Sequence, residues 1–174
     1  MPATGGADPA ANNAIAGLLF LARAFPPRLI AQREHRWLQL RREKAPADLE
    51  GQTVLIAGGG AAAAAVADFA RALAMQVTVA ARDDAHSPEP FDLLLARAQW
   101  LLIVVDDAPR LDARRIALLP RGAGVVNVAS AGLIDATAMF AALSSGQLAN
   151  AYLAGIAPDS PLRTLSNVMF AAVQ

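Results

Sequence analysis

Residues 53–63, Thr-Val-Leu-Ile-Ala-Gly-Gly-Gly-Ala-Ala-Ala, constrain the fold of this chain more than any other stretch. Thr53 to Ala57 is an apolar run without polar alternation, the pattern of a strand covered on both faces. Gly58-Gly59-Gly60 lets the backbone turn sharply with positive φ and no Cβ in the way. Ala61 to about Ala74 has strong helix propensity. A covered strand that passes through a tight turn into a helix is the opening of a βαβ unit, and repeated units of that kind build a parallel sheet.

The rest of the chain repeats the alternation. Strands are expected at Gln76–Ala81, Trp100–Val105, Gly124–Ala129, Ala149–Ala154 and Asn167–Ala171. Helices are expected at Phe91–Ala98, at Leu111–Leu119 and from a cap at Asp135 to about Leu143, with a Pro-containing loop at His86–Pro90. The fold class is therefore α/β, a doubly wound Rossmann-type parallel sheet with helices on both faces, in a single domain.

Ahead of this core, residues 1–10 read as a flexible tail rich in Gly, Pro and Ala. Residues 11–50 read as a helical segment and residues 51–174 as the core sheet. Asn12 or Asn13 is expected to cap a helix running to about Phe25, where Pro26-Pro27 would stop it. That helix is apolar nearly all round and needs a cover, either its own sheet or a second subunit. Leu29–Lys44 carries five basic residues around Trp37, with Glu34 and Glu43 interleaved, which reads as a solvated face or the rim of a dimer. Ala45–Gly51 is a linker.

Composition narrows the function classes. A formal net charge of zero and a pI near 6.7 give no electrostatic case for nucleic acid or an anionic membrane. There is no cysteine, and the two histidines, His35 and His86, stand far apart, so a thiolate or histidine metal site is not expected. Ala14–Ala24 is too short to span a bilayer, and no Lys or Arg precedes it as in a secretory signal. A cytoplasmic location is the resulting expectation.

Gly58, Gly60 and Ala63 fill the three small-residue slots of the G-x-G-x-x-G/A dinucleotide fingerprint. Gly58 would permit the turn, Gly60 the approach of a pyrophosphate, and Ala63 the close packing of helix on strand. The amides of Ala61 and Ala62 would sit at a helix N-terminus, which favours an anion. A glycine turn before an alanine-rich helix is also a plain strand-to-helix connection, so the motif gains weight only from the strands around it.

Taken whole, the chain resembles the nucleotide-binding domain of the D-isomer-specific 2-hydroxyacid dehydrogenases. Ala11–Arg23 resembles that family's first interdomain helix, and Trp37 the tryptophan that follows it. Leu49-Glu50-Gly51-Gln52-Thr53-Val54 resembles its approach to the first strand. Asn127-Val128-Ala129, Gly132-Leu133-Ile134-Asp135 and the block from Ala141 to Leu148 resemble its most specific stretch, and Pro161-Leu162 and Asn167-Val168 its end. That downstream block argues against the precorrin-2 dehydrogenase family, which shares only the glycine opening.

The resemblance implies NAD or NADP as cofactor. Counted against the family, the slot for an acidic residue on the ribose is Ala81, followed by Arg82, which favours the 2′-phosphate of NADP. Asp83 takes the acidic role if the loop shifts by two residues. Val105 and Asp106, at the end of the third expected strand, and Ala129 complete the expected cofactor contacts, with Asp106 standing where the family has a proline. The family's catalytic groups are not matched. Ser130 stands in place of the arginine that holds the substrate carboxylate, and Ala154 in place of an aspartate. Ile156–Asp159 is a shortened glutamate segment, and Val173 falls at the histidine. No catalytic residue is therefore assigned. The family's dimer also implies a homodimer through Ala14–Phe25 and the Trp37 segment.

Three roles follow as expectations. One is a nucleotide-binding or regulatory dimer with catalysis lost. Another is an oxidoreductase on 2-hydroxy acids completed by an unidentified partner chain. The third is a scaffold that binds no nucleotide.

Overall fold

The computed structural model describes residues 8–38, 45–81 and 90–171. Six strands form one sheet: β1 (Thr53–Ala57), β2 (Gln76–Ala80), β3 (Trp100–Ile103), β4 (Ala123–Asn127), β5 (Leu148–Ala154) and β6 (Val168–Ala171). Their order is β2-β1-β3-β4-β5-β6, and every pairing is parallel. The order reverses at β1 and β3, which opens a crevice at the carboxyl ends of those two strands, the place where such sheets bind ligands.

Period-two alternation sorts the strand side chains to two faces. Leu55, Ala57, Leu101, Ile103, Val125, Ala151 and Leu153 enter one core, closed by α4 (Phe91–Leu95), α5 (Ala113–Leu118) and α6 (Ala136–Ser144). Val54, Ile56, Trp100, Leu102, Val104 and Val126 enter the other, closed by α1 (Pro9–Ala22) and α3 (Gly60–Ala72). Burial on both faces is why β1, β3 and β4 read as unbroken apolar runs. β2, at the sheet edge, is buried only at Ala80.

The N-terminal region departs from expectation. The first helix begins at Pro9, capped by the Asp8 carboxylate accepting from the Ala10 amide, and not at Asn12 or Asn13. It ends at Ala22, before the prolines. Ala24 adopts a left-handed φ of 53°, and α2 (Phe25–Arg33) starts at once with Pro26 and Pro27 in its first turn. Proline there lacks only an amide that has no helical partner anyway, so the pair starts a helix and does not end one. The α1 face carrying Ala14, Leu18 and Leu21 is covered by the chain's own sheet. A Cβ on Gly17 would stand 2.6 Å from the Tyr152 ring, and the Tyr152 hydroxyl donates to Asn13 Oδ1 at 2.7 Å. Burial pushes that phenol above its ordinary pKa.

Elsewhere the elements fall where expected, with ends displaced by up to three residues. Arg114 and Arg115 clamp Asp92 at 2.7 and 3.0 Å, tying α5 to α4. The hydrogen bond from Arg114, with Arg115 adding, holds the Asp92 carboxyl below its usual range. No single helix among the described residues is long and apolar enough to cross a membrane. The expectations placed on Arg82, Asp83, His86, Val173 and Arg41–Lys44 lie outside the described residues.

Candidate functional site

The site is built where β1 turns into α3. Gly58 has φ +115°, and its amide donates to the Ala80 carbonyl at 2.9 Å, holding the turn against the end of β2. A Cβ on Gly58 would collide with Val105 Cγ2, so the chain after β3 packs directly on the turn. Gly59 caps α3 in extended conformation, and Gly60 follows at φ +79°. Nothing stands within 4 Å of where a Cβ on Gly60 would be, which leaves that approach open.

Gly60 and Ala61 are exposed, whereas Ala62 and Ala63 are buried against the sheet. The first-turn amides of α3 have no carbonyl a turn earlier to accept from them, so they remain available to an anion. Glycine at the two positive-φ positions and alanine where helix meets strand thus form a cradle a pyrophosphate fits. Ala81 closes its far side: a Cβ on Gly59 would stand 3.6 Å from Ala81 Cβ.

The two aspartates after β3 diverge. Asp106 turns toward β4, where its Oδ1 accepts from the Ser130 amide at 2.7 Å. Asp107 turns toward the glycines. Its Oδ1 lies 3.4 Å from where a Cβ on Gly58 would stand, and its Oδ2 3.9 Å from the equivalent point on Gly59. The sequence alone points to Asp106 beside the cofactor and passes over Asp107. Adjacent carboxylates at a strand end carry no signal of which one faces which side.

Beyond Asp106 a cleft of about 520 Å³ lies over the ends of β4 and β5, lined by Asn13, Asp106, Ala129, Ser130, Ala154 and Gly155 among others. Its floor is fixed by Asn127, whose Oδ1 accepts from the Ala129 amide and whose Nδ2 donates to the Ser130 carbonyl, both at 3.2 Å. Ser130 Oγ accepts from the Gly132 amide at 3.3 Å. The loop after β5 is held by Arg163, which donates to the carbonyls of Ile156 and Ala157 while its guanidinium lies over Phe170. The structure thus brings Ala129 and Asp106 together at the cleft, and Gly58, Gly60 and Val105 at the turn. Among the described residues the cleft lining holds one carboxylate and no cation.

Comparison with known proteins agrees with this geometry. The family described as D-isomer specific 2-hydroxyacid dehydrogenase, NAD binding domain, matches residues 15–172. The D-3-phosphoglycerate dehydrogenase of Mycobacterium tuberculosis (strain ATCC 25618 / H37Rv) is 31% identical over 178 residues, covering 92% of this chain and 33% of its own length. The chain thus spans about a third of the length of the curated relatives it matches. Among solved structures, the TT0316 protein of Thermus thermophilus superposes with a TM-score of 0.79 at 29% identity, over 94% of this chain and 57% of that one. A D-isomer specific 2-hydroxyacid dehydrogenase of Xanthobacter autotrophicus Py2, solved with NADPH and MES, gives 0.77 at 27% identity, over 94% and 56%. A single glycine turn is weak evidence alone, but here the match runs from α1 to β6. The chain belongs to the D-isomer specific 2-hydroxyacid dehydrogenase family, through its NAD binding domain.

Proposed function

We propose that this chain binds a nicotinamide dinucleotide at the β1–α3 turn and has lost the family's means of holding a 2-hydroxy or 2-keto acid. The first half is supported by the open, positive-φ Gly60 at the start of α3 and by the NADPH that the Xanthobacter relative carries. When bound, the dinucleotide supplies hydride exchange. This chain's own residues bind its pyrophosphate and position it over β1 and β3.

The single observation that carries the second half is Asp106 on the Ser130 amide. Where the resemblance puts an arginine for the substrate carboxylate, the protein has a serine whose amide is already occupied by a carboxylate of its own. A second carboxylate entering that cleft meets an anion and no cation, which disfavours it. The proposed role is a nucleotide-binding or regulatory dimer, with contact through the Ala14–Phe25 segment, at its exposed end Phe25, and through the segment at Trp37, which is 87% exposed. NADP is assigned over NAD because Arg82 follows Ala81 at the ribose end.

Calorimetric titration with NADPH and NADH tests the reading. Saturable binding is expected, tighter for NADPH and weakened at least tenfold by Gly60→Val, with the fold checked by circular dichroism. No saturable heat at millimolar cofactor would overturn the binding. Oxidation of NADPH by a 2-keto acid, with this chain alone, would overturn the loss of catalysis.

A further inference from the structure

The pyrophosphate cradle has a carboxylate standing over it. Asp107 is exposed, and both of its oxygens lie at the edge of the Gly58–Gly59 turn. Among the described residues no hydrogen bond or ion pair neutralises it. Its neighbour Asp106 is held the other way by the Ser130 amide, and Val105 Cγ2 is wedged against Gly58. The chain entering Asp107 is therefore fixed against the turn, and Ala108 after it is buried with its amide donating to the Val105 carbonyl at 3.3 Å, so side-chain torsions are what carry the carboxylate away.

We infer that Asp107 is an affinity-determining residue of the turn, holding the affinity for diphosphate-bearing ligands well below what the cradle itself provides. The inference rests on the nucleotide reading of that turn. An anion seated on the α3 amides lies within a Debye length of Asp107, about 8–10 Å at ordinary salt, so the repulsion is felt directly and is weakened by added salt. For two unit charges about 6 Å apart at an exposed site, between the bulk-water and protein-surface limits of screening, the penalty corresponds to about tenfold in affinity. Rotation of the side chain into solvent relieves part of it at the cost of a restricted rotamer. Asp106 contributes little, because its carboxylate points to β4.

The test is a titration of wild type, Asp107→Asn and the control Glu50→Gln with NADPH, and with inorganic pyrophosphate as a second probe, at low and high salt. Asp107→Asn is expected to bind both ligands about tenfold more tightly than wild type at low salt, with the gap closing to about twofold at high salt. Glu50→Gln, which changes an exposed carboxylate at the opposite end of β1 from the turn, is expected to stay within about twofold of wild type. A merely structural effect of Asp107 would not shrink with salt, and circular dichroism melts confirm that the variants fold. Equal or weaker binding by Asp107→Asn at low salt overturns the role of Asp107 while leaving the nucleotide site standing. Absence of saturable binding in wild type and variants alike overturns both.

Discussion

Asn127 is the one buried polar side chain among the described residues, and both of its hydrogen bonds fall within the three residues that follow β4. Its amide substitutes for the strand partners that Ala129 and Ser130 lose when the chain leaves the sheet, so that no backbone group is stranded at the cleft floor. Removing it leaves the Ala129 amide and the Ser130 carbonyl without their side-chain partner in a part-buried loop, and empties a fully buried position beneath it. Asn127→Ala is therefore expected to lower unfolding stability by about 2 kcal/mol in urea titrations, within the usual 1–3 kcal/mol for such losses. A change below about 0.5 kcal/mol would mean that solvent satisfies the loop. At this scale the sequence is readable where backbone geometry selects the residue. Gly58 and Gly60 stand at positive φ, and Ala63 is where α3 meets the sheet. It is unreadable where orientation decides, as at Asp106 and Asp107, whose opposite directions depend on the Ser130 amide 24 residues away.

At the scale of elements, the strands are legible because a parallel sheet buried on both faces forces continuous apolar runs. Their ends are less so, since Val104 and Val105 stay apolar after the β3 ladder has ended at Ile103. The join of α1 and α2 is hidden for a physical reason. Pro26-Pro27 looks like a stop, but proline is equally suited to a first turn, and the break falls earlier at a residue with no breaker chemistry. Ala24 pays for that break with a left-handed backbone at φ 53°, a conformation costing a Cβ-bearing residue about 1 kcal/mol more than glycine. The change to glycine also frees the unfolded chain, which offsets part of the gain. Ala24→Gly is expected to stabilise the protein by about 0.5 kcal/mol in thermal or urea unfolding. A loss of more than about 0.5 kcal/mol would show that the Ala24 methyl, half-buried beside α2, contributes more by packing than its backbone costs.

For the whole molecule, the question is what covers the apolar surface left outside the two cores. α1 does not need a second subunit for its sheet-facing side, because Ala14, Leu18 and Leu21 are buried by the chain itself. Along this N-terminal segment there remain Phe25 at 41% exposure, stacked on Phe20 at 5.3 Å, then Leu29 at 39% and Trp37 at 87%, while Leu93 and Val79 are exposed elsewhere. Burying about 200 Å² of indole is worth about 5 kcal/mol, and a twofold interface counts it twice. That sum of about 10 kcal/mol lies within the range of the association cost, about 4–15 kcal/mol, so Trp37 decides whether the proposed dimer forms while Phe25 and Leu29 set its margin. The chain's two tryptophans make this visible in fluorescence, since Trp100 is 5% exposed and already buried in the monomer. Wild type is expected to sediment as a dimer at micromolar concentration, with emission shifting to the red on dilution as Trp37 returns to water. Trp37→Ala is expected to sediment as a monomer and to keep the concentration-independent emission of Trp100. A wild-type monomer at all concentrations, with red-shifted Trp37 emission throughout, would remove the dimer and leave the exposed tryptophan to a different partner.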